Sequence, residues 1–372
     1  MSRPTERIES VDLLRGIVMA TMTLDHVRDF FSNAAFEPTD LTRTTPAFFA
    51  TRWITHFCAP VFVFLAGTGS YLSRRPKSEL ARFLLTRGLW LVVLELTWVR
   101  SAWTWHLSSG NVILQVIWAL GWSMVFMSAL VFLPLRMLAL FGGAMIALHN
   151  LLDSVHAEAF GHLKALWMLT HEQGVTVLGP SKVYVGYPVV PWIGVMAVGY
   201  AFGALLRGDA AERRRRVTRL GAAVVLLFIV LRCANIYGDP ARWSTQPRGA
   251  LFTLMSFVNC TKYPPSLLYL AMTLGPSLLV LALLDRPAVS PSRLAQPFLV
   301  LGRVPLFFYL LHLPLIHAAS IVVDMNRHSG GHGYGLGVVY AVWIAVLAVL
   351  YLPCRWFAGI KRRHRSAWLS YL

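Results

Sequence analysis

Apolar residues in this chain run in ten long stretches, parted by polar, charged or proline-rich connections: about 11–32, 46–72, 86–105, 111–133, 137–152, 188–206, 218–236, 264–284, 297–320 and 336–357. A helix needs roughly 20 mostly apolar residues to cross about 30 Å of hydrocarbon at 1.5 Å per residue. The pattern predicts an all-α, polytopic transmembrane helical bundle of about ten spans, a single domain over residues 1–372. The fifth stretch is short, and Pro305 and Pro314 are placed to break the ninth. No internal repeat is apparent, which weakens a transporter built from two related halves.

Composition removes the other classes. The chain is 56% apolar and 14% charged, with a mean hydropathy of +0.57, whereas a soluble domain carries about 25% charged residues. Disorder is excluded by the hydrophobicity, and a disulfide scaffold by four cysteines in 372 residues. Cys58, Cys233, Cys260 and Cys354 are widely separated, without zinc-ligand spacing, and read as inert. Arg3 and Arg7 precede an apolar stretch as in a signal peptide. That stretch holds Asp12, Arg15, Asp25 and His26 and no A-x-A-like cleavage site, so it is expected to be a retained first span.

The net charge of +17 sits mostly in three clusters: Arg74, Arg75, Lys77, Arg82 and Arg87; Arg207, Arg213–Arg216 and Arg219; and Lys361, Arg362, Arg363 and Arg365. With ten spans all three fall on one side. The positive-inside rule makes that side cytoplasmic, together with both termini. The clusters flank apolar spans and suit anionic lipid headgroups. No recognition motif accompanies them, so nucleic acid is not an expected partner.

Ionisable groups inside spans are costly unless paired or facing an aqueous cavity, and so are candidates for function. In the first span Asp12 lies one turn from Arg15, close enough to pair. Arg15 and His26 share a face within about 20° and stand about 16 Å apart along the axis. The two would serve the two ends of one substrate track, Arg15 toward the cytoplasm and His26 toward the outside. Asp25 and Asp29 flank His26, and Asp29 at i+3 is placed to orient it. His56 opens the second span near the same level. The plainer alternative is that His26 and His56 reach to the interface and Asp12–Arg15 is a structural pair. Glu95 and His312 are further intramembrane candidates, while His149 and Arg232, at outer span ends, are expected to snorkel. His312 and His317 fall about 140° apart and do not form a one-face metal pair. His328 and His332 are separated by Ser329-Gly330-Gly331, which opposes a helix. No metal site is expected. The longer connections, about 33–45, 153–187, 237–263 and 321–335, lie on the outer face, where an external substrate would be held.

Several stretches resemble a known family. Arg7-Ile8-Glu9-Ser10-Val11-Asp12-Leu13-Leu14-Arg15-Gly16 with Asp25-His26 resembles the opening of membrane acyltransferases of the heparan-alpha-glucosaminide N-acetyltransferase type. Ala59-Pro60-Val61-Phe62-Val63-Phe64-Leu65-Ala66-Gly67, Tyr187-Pro188-Val189-Val190-Pro191-Trp192, Lys262-Tyr263-Pro264-Pro265-Ser266-Leu267 and Gly302-Arg303-Val304-Pro305 through His312 follow in order. The likeness covers residues 7–320 and is nearest the bacterial branch. The Arg15-to-His26 spacing also resembles that of type-3 membrane acyltransferases. The chain lacks the Trp-Asn-Gly-type stretch that follows the reactive His of the heparan enzymes, and His56 stands where they carry an Asp.

The resemblance implies an integral membrane acyltransferase of the bacterial cytoplasmic membrane. Its co-substrate would be acetyl-CoA or another acyl-CoA, and its acceptor an external glycan or lipid-linked molecule. Acyl-CoA phosphates would lie near Arg15, the pantetheine arm would thread the bundle, and His26 would act as general base or take the acyl group itself. A homodimer is compatible with this. The competing readings are a transporter using the same polar track, and a non-enzymatic membrane scaffold.

Overall fold

The computed structural model describes residues 8–105, 110–325, 333–364, 366 and 368–371. Arg3, Arg7, Arg365, His328 and His332 lie outside the described residues. From the N-terminal side, α1 (Glu9–Phe31) is followed by α2 (Pro46–Thr55), α3 (Cys58–Leu72), α4 (Lys77–Leu94), a π turn (Glu95–Val99) and α5 (Arg100–Thr104). Next come β1 (Asn111–Leu114), α6 (Val116–Leu130) and α7 (Leu135–Leu148), which ends in a 3-10 turn (His149–Leu152). The segment before α9 (Val190–Phe202) holds another 3-10 turn, α8 (Lys164–Thr170), β2 (Gly174–Leu178) and β3 (Ser181–Val185). The remainder is α10 (Ala210–Ala234), α11 (Ala250–Val258), α12 (Leu267–Leu284), α13 (Gln296–Arg303), α14 (Pro305–Met325) and α15 (Leu336–Arg363).

Among the described residues six helical stretches are long and apolar enough to cross a membrane: Pro46–Leu72, Leu135–Leu152, Ala210–Ala234, Leu267–Leu284, Pro305–Val323 and Leu336–Arg363. Val116–Leu130 and Val190–Leu206 are apolar but shorter. α1 runs the length of a span and carries the polar stripe. It packs against α2, α3, α12, α13, α14 and α15, which makes it the central helix.

Close crossings bring the helices together at glycine. A Cβ on Gly16 of α1 would stand 1.8 Å from the Phe298 carbonyl oxygen of α13, and one on Gly302 1.8 Å from that of Asp12. No side chain fits either position, so the two backbones touch. Gly67 with Gly199, Gly88 with Gly121, Gly142 with Gly194 and Gly221 with Gly275 repeat the arrangement at other helix pairs. Helices in lipid associate by such close packing because lipid tails offer no hydrophobic drive for burial.

The structure departs from the expected elements in four places. Residues 111–114, expected as the start of a span, form β1, which pairs in parallel with β3 (Asn111↔Lys182 to Leu114↔Val185). β3 pairs antiparallel with β2 through a turn whose Gly179 has a φ of +58°. This sheet makes the fold mostly rather than wholly helical, and it buries Leu114, Val183 and Val185 against Ala157 and Met168. The ninth stretch divides at Val304 as expected, because Pro305 has no N–H to continue α13, but Pro314, expected to break it as well, stands inside an unbroken α14. The Leu310 carbonyl that Pro314 leaves without a helical donor accepts the indole N–H of Trp98 at 2.8 Å. α10 starts at Ala210, ahead of the apolar run, because the Asp209 carboxylate caps the N–H groups of Ala211 and Glu212.

The fourth departure concerns the connections at two helix ends. Arg232 does not snorkel; it is 1% exposed. Its guanidinium donates to the carbonyls of Ala241, Ser256, Phe257 and Asn259 at 2.8–3.1 Å, and Asp239 lies 4.0 Å away. Three of those carbonyls belong to the end of α11 and the residue after it, where the helix leaves acceptors unsatisfied. Arg232 thus fastens the connection between α10 and α12. His149, also expected to snorkel, is 3% exposed.

Candidate functional site

At one end of α1 the Arg15 guanidinium donates 3.0 Å to the Asp12 carboxylate and 3.1 Å to the Gly302 carbonyl. The second contact exists because the Gly16–Gly302 crossing brings α13 against α1. The basic clusters gather at this same end. Arg213 forms a two-pronged ion pair with Asp285 at 2.9–3.0 Å, and Ser10 donates to the same carboxylate at 3.0 Å. Arg303 pairs with Glu9 at 2.9 Å.

Between these elements lies a cavity of about 330 Å³. Arg15, Arg75, Arg87, Arg303 and Lys361 line its basic end, and Met19, Met22, Leu65, Leu120, Met124 and Tyr309 line it deeper in. Its volume falls at the lower edge of the range of small-molecule sites. A chamber with cations at one end and flexible apolar side chains beyond suits a ligand with an anionic head and a slender, weakly polar arm.

One turn beyond Met22, the ring of His26 meets His312 of α14: His26 Nδ1 and His312 Nε2 are 2.7 Å apart. His312 Nδ1 lies 2.6 Å from the Tyr309 carbonyl. A carbonyl oxygen only accepts, so the proton on His312 is at Nδ1. A neutral His312 then offers a lone pair at Nε2, and His26 must donate its Nδ1–H to it. This fixes the neutral His26 tautomer and leaves its Nε2 with a lone pair. His312 is fully buried and His26 only partly so, with Trp103 edge-on to its ring at 5.3 Å. Tyr309 both lines the cavity and holds His312, which ties the chamber to the histidine pair.

The other predicted residues are placed as follows. Asp25 faces cations: Arg52 at 2.6 Å and Arg28 at 2.9 Å. Asp29, expected to orient His26, instead pairs with Arg28 at 2.6 Å. His56 is buried, and its carbonyl accepts the Tyr269 hydroxyl at 2.7 Å. The ring partner of His26 is His312 rather than His56. Glu95 lies at the π turn and receives the N–H groups of Gln115 and Trp118 at 3.1 and 3.2 Å, so its carboxylate caps the start of α6. Val116 and Ile117, in that capped turn, line the cavity, which puts Glu95 behind its wall. Sequence reasoning missed the buried Arg28 and Lys262 and the half-buried Arg52, three cations around Asp25. The i+3 spacing of Asp25 and Arg28 was the available signal.

Comparison with known proteins decides the family. The catalytic-domain model of heparan-alpha-glucosaminide N-acetyltransferase matches residues 7–237. The chain belongs to this family. With its apolar helices, that makes it a multi-pass membrane protein of an acetyltransferase family. No curated protein matches the chain. The family match includes α1 with Asp12, Arg15, Asp25 and His26, and also His56 and Glu95. It stops short of α12–α15, so His312 and Tyr309 join the matched region only through the fold.

Proposed function

We propose that this member of the family moves an acetyl group from cytoplasmic acetyl-CoA to a hydroxyl or amine of an extracytoplasmic glycan or lipid-linked acceptor. The proposal includes ten spans with both termini cytoplasmic, acting as one catalytic unit. The observation that carries it is the His26–His312 pair, which stands one helical turn beyond Met22 and next to Tyr309, both lining residues of a chamber with a basic end.

The donor's phosphates would meet Arg15, Arg75, Arg87, Arg303 and Lys361, with Asp12 holding the Arg15 guanidinium in place. The pantetheine arm would pass along Met19 and Met22 and carry the thioester up one helical turn to His26. His26 Nε2 then removes the proton of the acceptor group as that group attacks the thioester carbonyl. The new acyl–oxygen or acyl–nitrogen bond forms, the carbon–sulfur bond breaks, and the proton held on His26 passes to the departing thiolate. His312 keeps the His26 ring oriented and stabilises its protonated form through the Nδ1–H contact. Arg28, Arg52 and Lys262 stand beside this point, paired in part with Asp25, Asp29 and Glu37, and offer donors to an acceptor bearing phosphate or carboxylate.

Purified protein given labelled acetyl-CoA and an envelope glycolipid extract tests the reading. His26→Ala should abolish transfer while leaving the gel-filtration profile unchanged. Full retained transfer rejects His26, and substrate accumulation in proteoliposomes with no acyl donor would replace the enzyme with a permease.

A further inference from the structure

Away from the cavity, where α7 ends, a second group of histidines has no explanation in acyl transfer. His149 and His171 are 3% and 4% exposed. Buried imidazoles nearly always hydrogen-bond. Here none of the four ring nitrogens has a hydrogen-bond partner. The rings meet edge to face with centroids 5.8 Å apart, so they converge on a shared space rather than stack.

Asp153 closes that space. Its Oδ1 lies 3.9 Å from His171 Nε2, too far for a hydrogen bond, and one donor atom from each of the three residues falls within 4.8 Å of the others. A tetrahedral ion holding such ligands at about 2.0–2.2 Å needs its donor atoms roughly 3.4 Å apart, a closure of at most about 1.4 Å for flexible side chains.

The surroundings have the features that metal ligands need. Asn150 donates to Asp153 Oδ2 at 2.8 Å and accepts the Leu267 N–H at 2.9 Å, which orients the carboxylate from the start of α12. The carbonyls of Pro265 and Leu152 lie beside His149 and His171 without closing hydrogen bonds. A ligating histidine commonly directs its other N–H to such an acceptor. Asp153, 21% exposed at the side chain, gives the entry path.

We propose that His149, Asp153 and His171 bind a divalent transition-metal ion, Zn²⁺ by donor type, with water as the fourth ligand. Two imidazoles and a carboxylate suit zinc, and hard cations such as Mg²⁺ or Ca²⁺ prefer all-oxygen sites. The ion ties the end of α7, the end of α8 and the start of α12, and so pins the β2–β3 hairpin over the bundle.

The test uses the full chain, purified without a histidine tag, stripped with EDTA and titrated with Zn²⁺ alone, then with Co²⁺ as a visible-absorption probe. One zinc per chain should survive gel filtration, and Co²⁺ should give the intense band of a four-coordinate site. Asp153→Asn, close in shape, and His171→Gln should each weaken retention by at least about tenfold, with the gel-filtration profile unchanged. Failure of the wild type to retain zinc overturns the site. Equal retention by both variants also overturns it and assigns the metal to exposed histidines. Should neither variant fold, the Co²⁺ spectrum of the wild type decides, and a weak six-coordinate spectrum rejects the proposal.

Discussion

Two pairs of histidines meet inside this molecule, and they differ in what lies between the rings. His26 and His312 share a proton across 2.7 Å, and the Tyr309 carbonyl fixes where the remaining proton sits. His149 and His171 share nothing: none of their four ring nitrogens makes a hydrogen bond, and one from each ring lies within 4.8 Å of an Asp153 carboxylate oxygen. The first pair is satisfied as it stands, apart from the lone pair it presents at His26 Nε2. The second pair becomes satisfied only when something electrophilic enters. On the proposed readings one residue type would serve two chemistries, and the feature that separates the pairs is a single backbone acceptor. Tyr309 supplies it at 2.6 Å to His312, whereas the carbonyls near His149 and His171 do not engage.

The comparison breaks most sharply at His26. His26→Ala removes the base and should lower acetyl transfer by about 10²–10⁴-fold, read as labelled acceptor formed per minute, while zinc retention stays at the wild-type level. Loss of both together would mean that one fold defect underlies them. His312→Ala keeps the base but frees its tautomer and orientation. Transfer should fall between about tenfold and a hundredfold, somewhat more than the loss of one ordinary hydrogen bond, with the Kd for acetyl-CoA unchanged. Equal effects on kcat and Kd would instead place His312 in donor binding. Arg15→Ala acts at the other end of α1. It should weaken acetyl-CoA binding by about tenfold, as expected for one charge-assisted contact among several cations, and leave zinc retention alone.

Much of this was legible in the sequence because it is local. The Asp12–Arg15 contact follows from helical spacing, and the alignment of Arg15 with His26 follows from 100° per residue. The ten apolar stretches each contain a helix, and Pro305 divides the ninth as its missing N–H requires. What was not legible depends on partners far along the chain. His312 was visible as an intramembrane histidine, but no periodicity relates it to His26, 286 residues away. The contact depends on α1 and α13 touching at Gly16 and Gly302, which sets α14 alongside. Arg232 and His149 read as snorkelling because each stands near a span end. Spacing does not reveal that connecting loops fold back over them with carbonyls or with a second histidine. β1 was hidden within an apolar run, since Asn111-Val112-Ile113-Leu114 suits a strand and a span equally until β3 is beside it.

The smallest predicted effect sharpens the comparison most, because it separates the two candidates for orienting His26. Spacing points to Asp29, one turn on; the geometry points to His312. Asp29 spends its carboxylate on Arg28 at 2.6 Å, and its side chain is 39% exposed. An ion pair so placed is worth about 0–1 kcal/mol, and Arg28 keeps its contact with Asp25 at 2.9 Å when Asp29 is neutralised. Asp29→Asn should therefore change acetyl transfer by less than about twofold, since no contact that fixes the His26 ring is lost. A carboxylate that did orient His26 would stabilise its protonated form, and its removal would shift the pH profile of kcat/KM downward in pKa. The measurement is that profile for Asp29→Asn beside His312→Ala. A displaced profile with Asp29→Asn and an unmoved one with His312→Ala would return the orienting role to the carboxylate, and the first histidine pair would lose the feature that distinguishes it from the second.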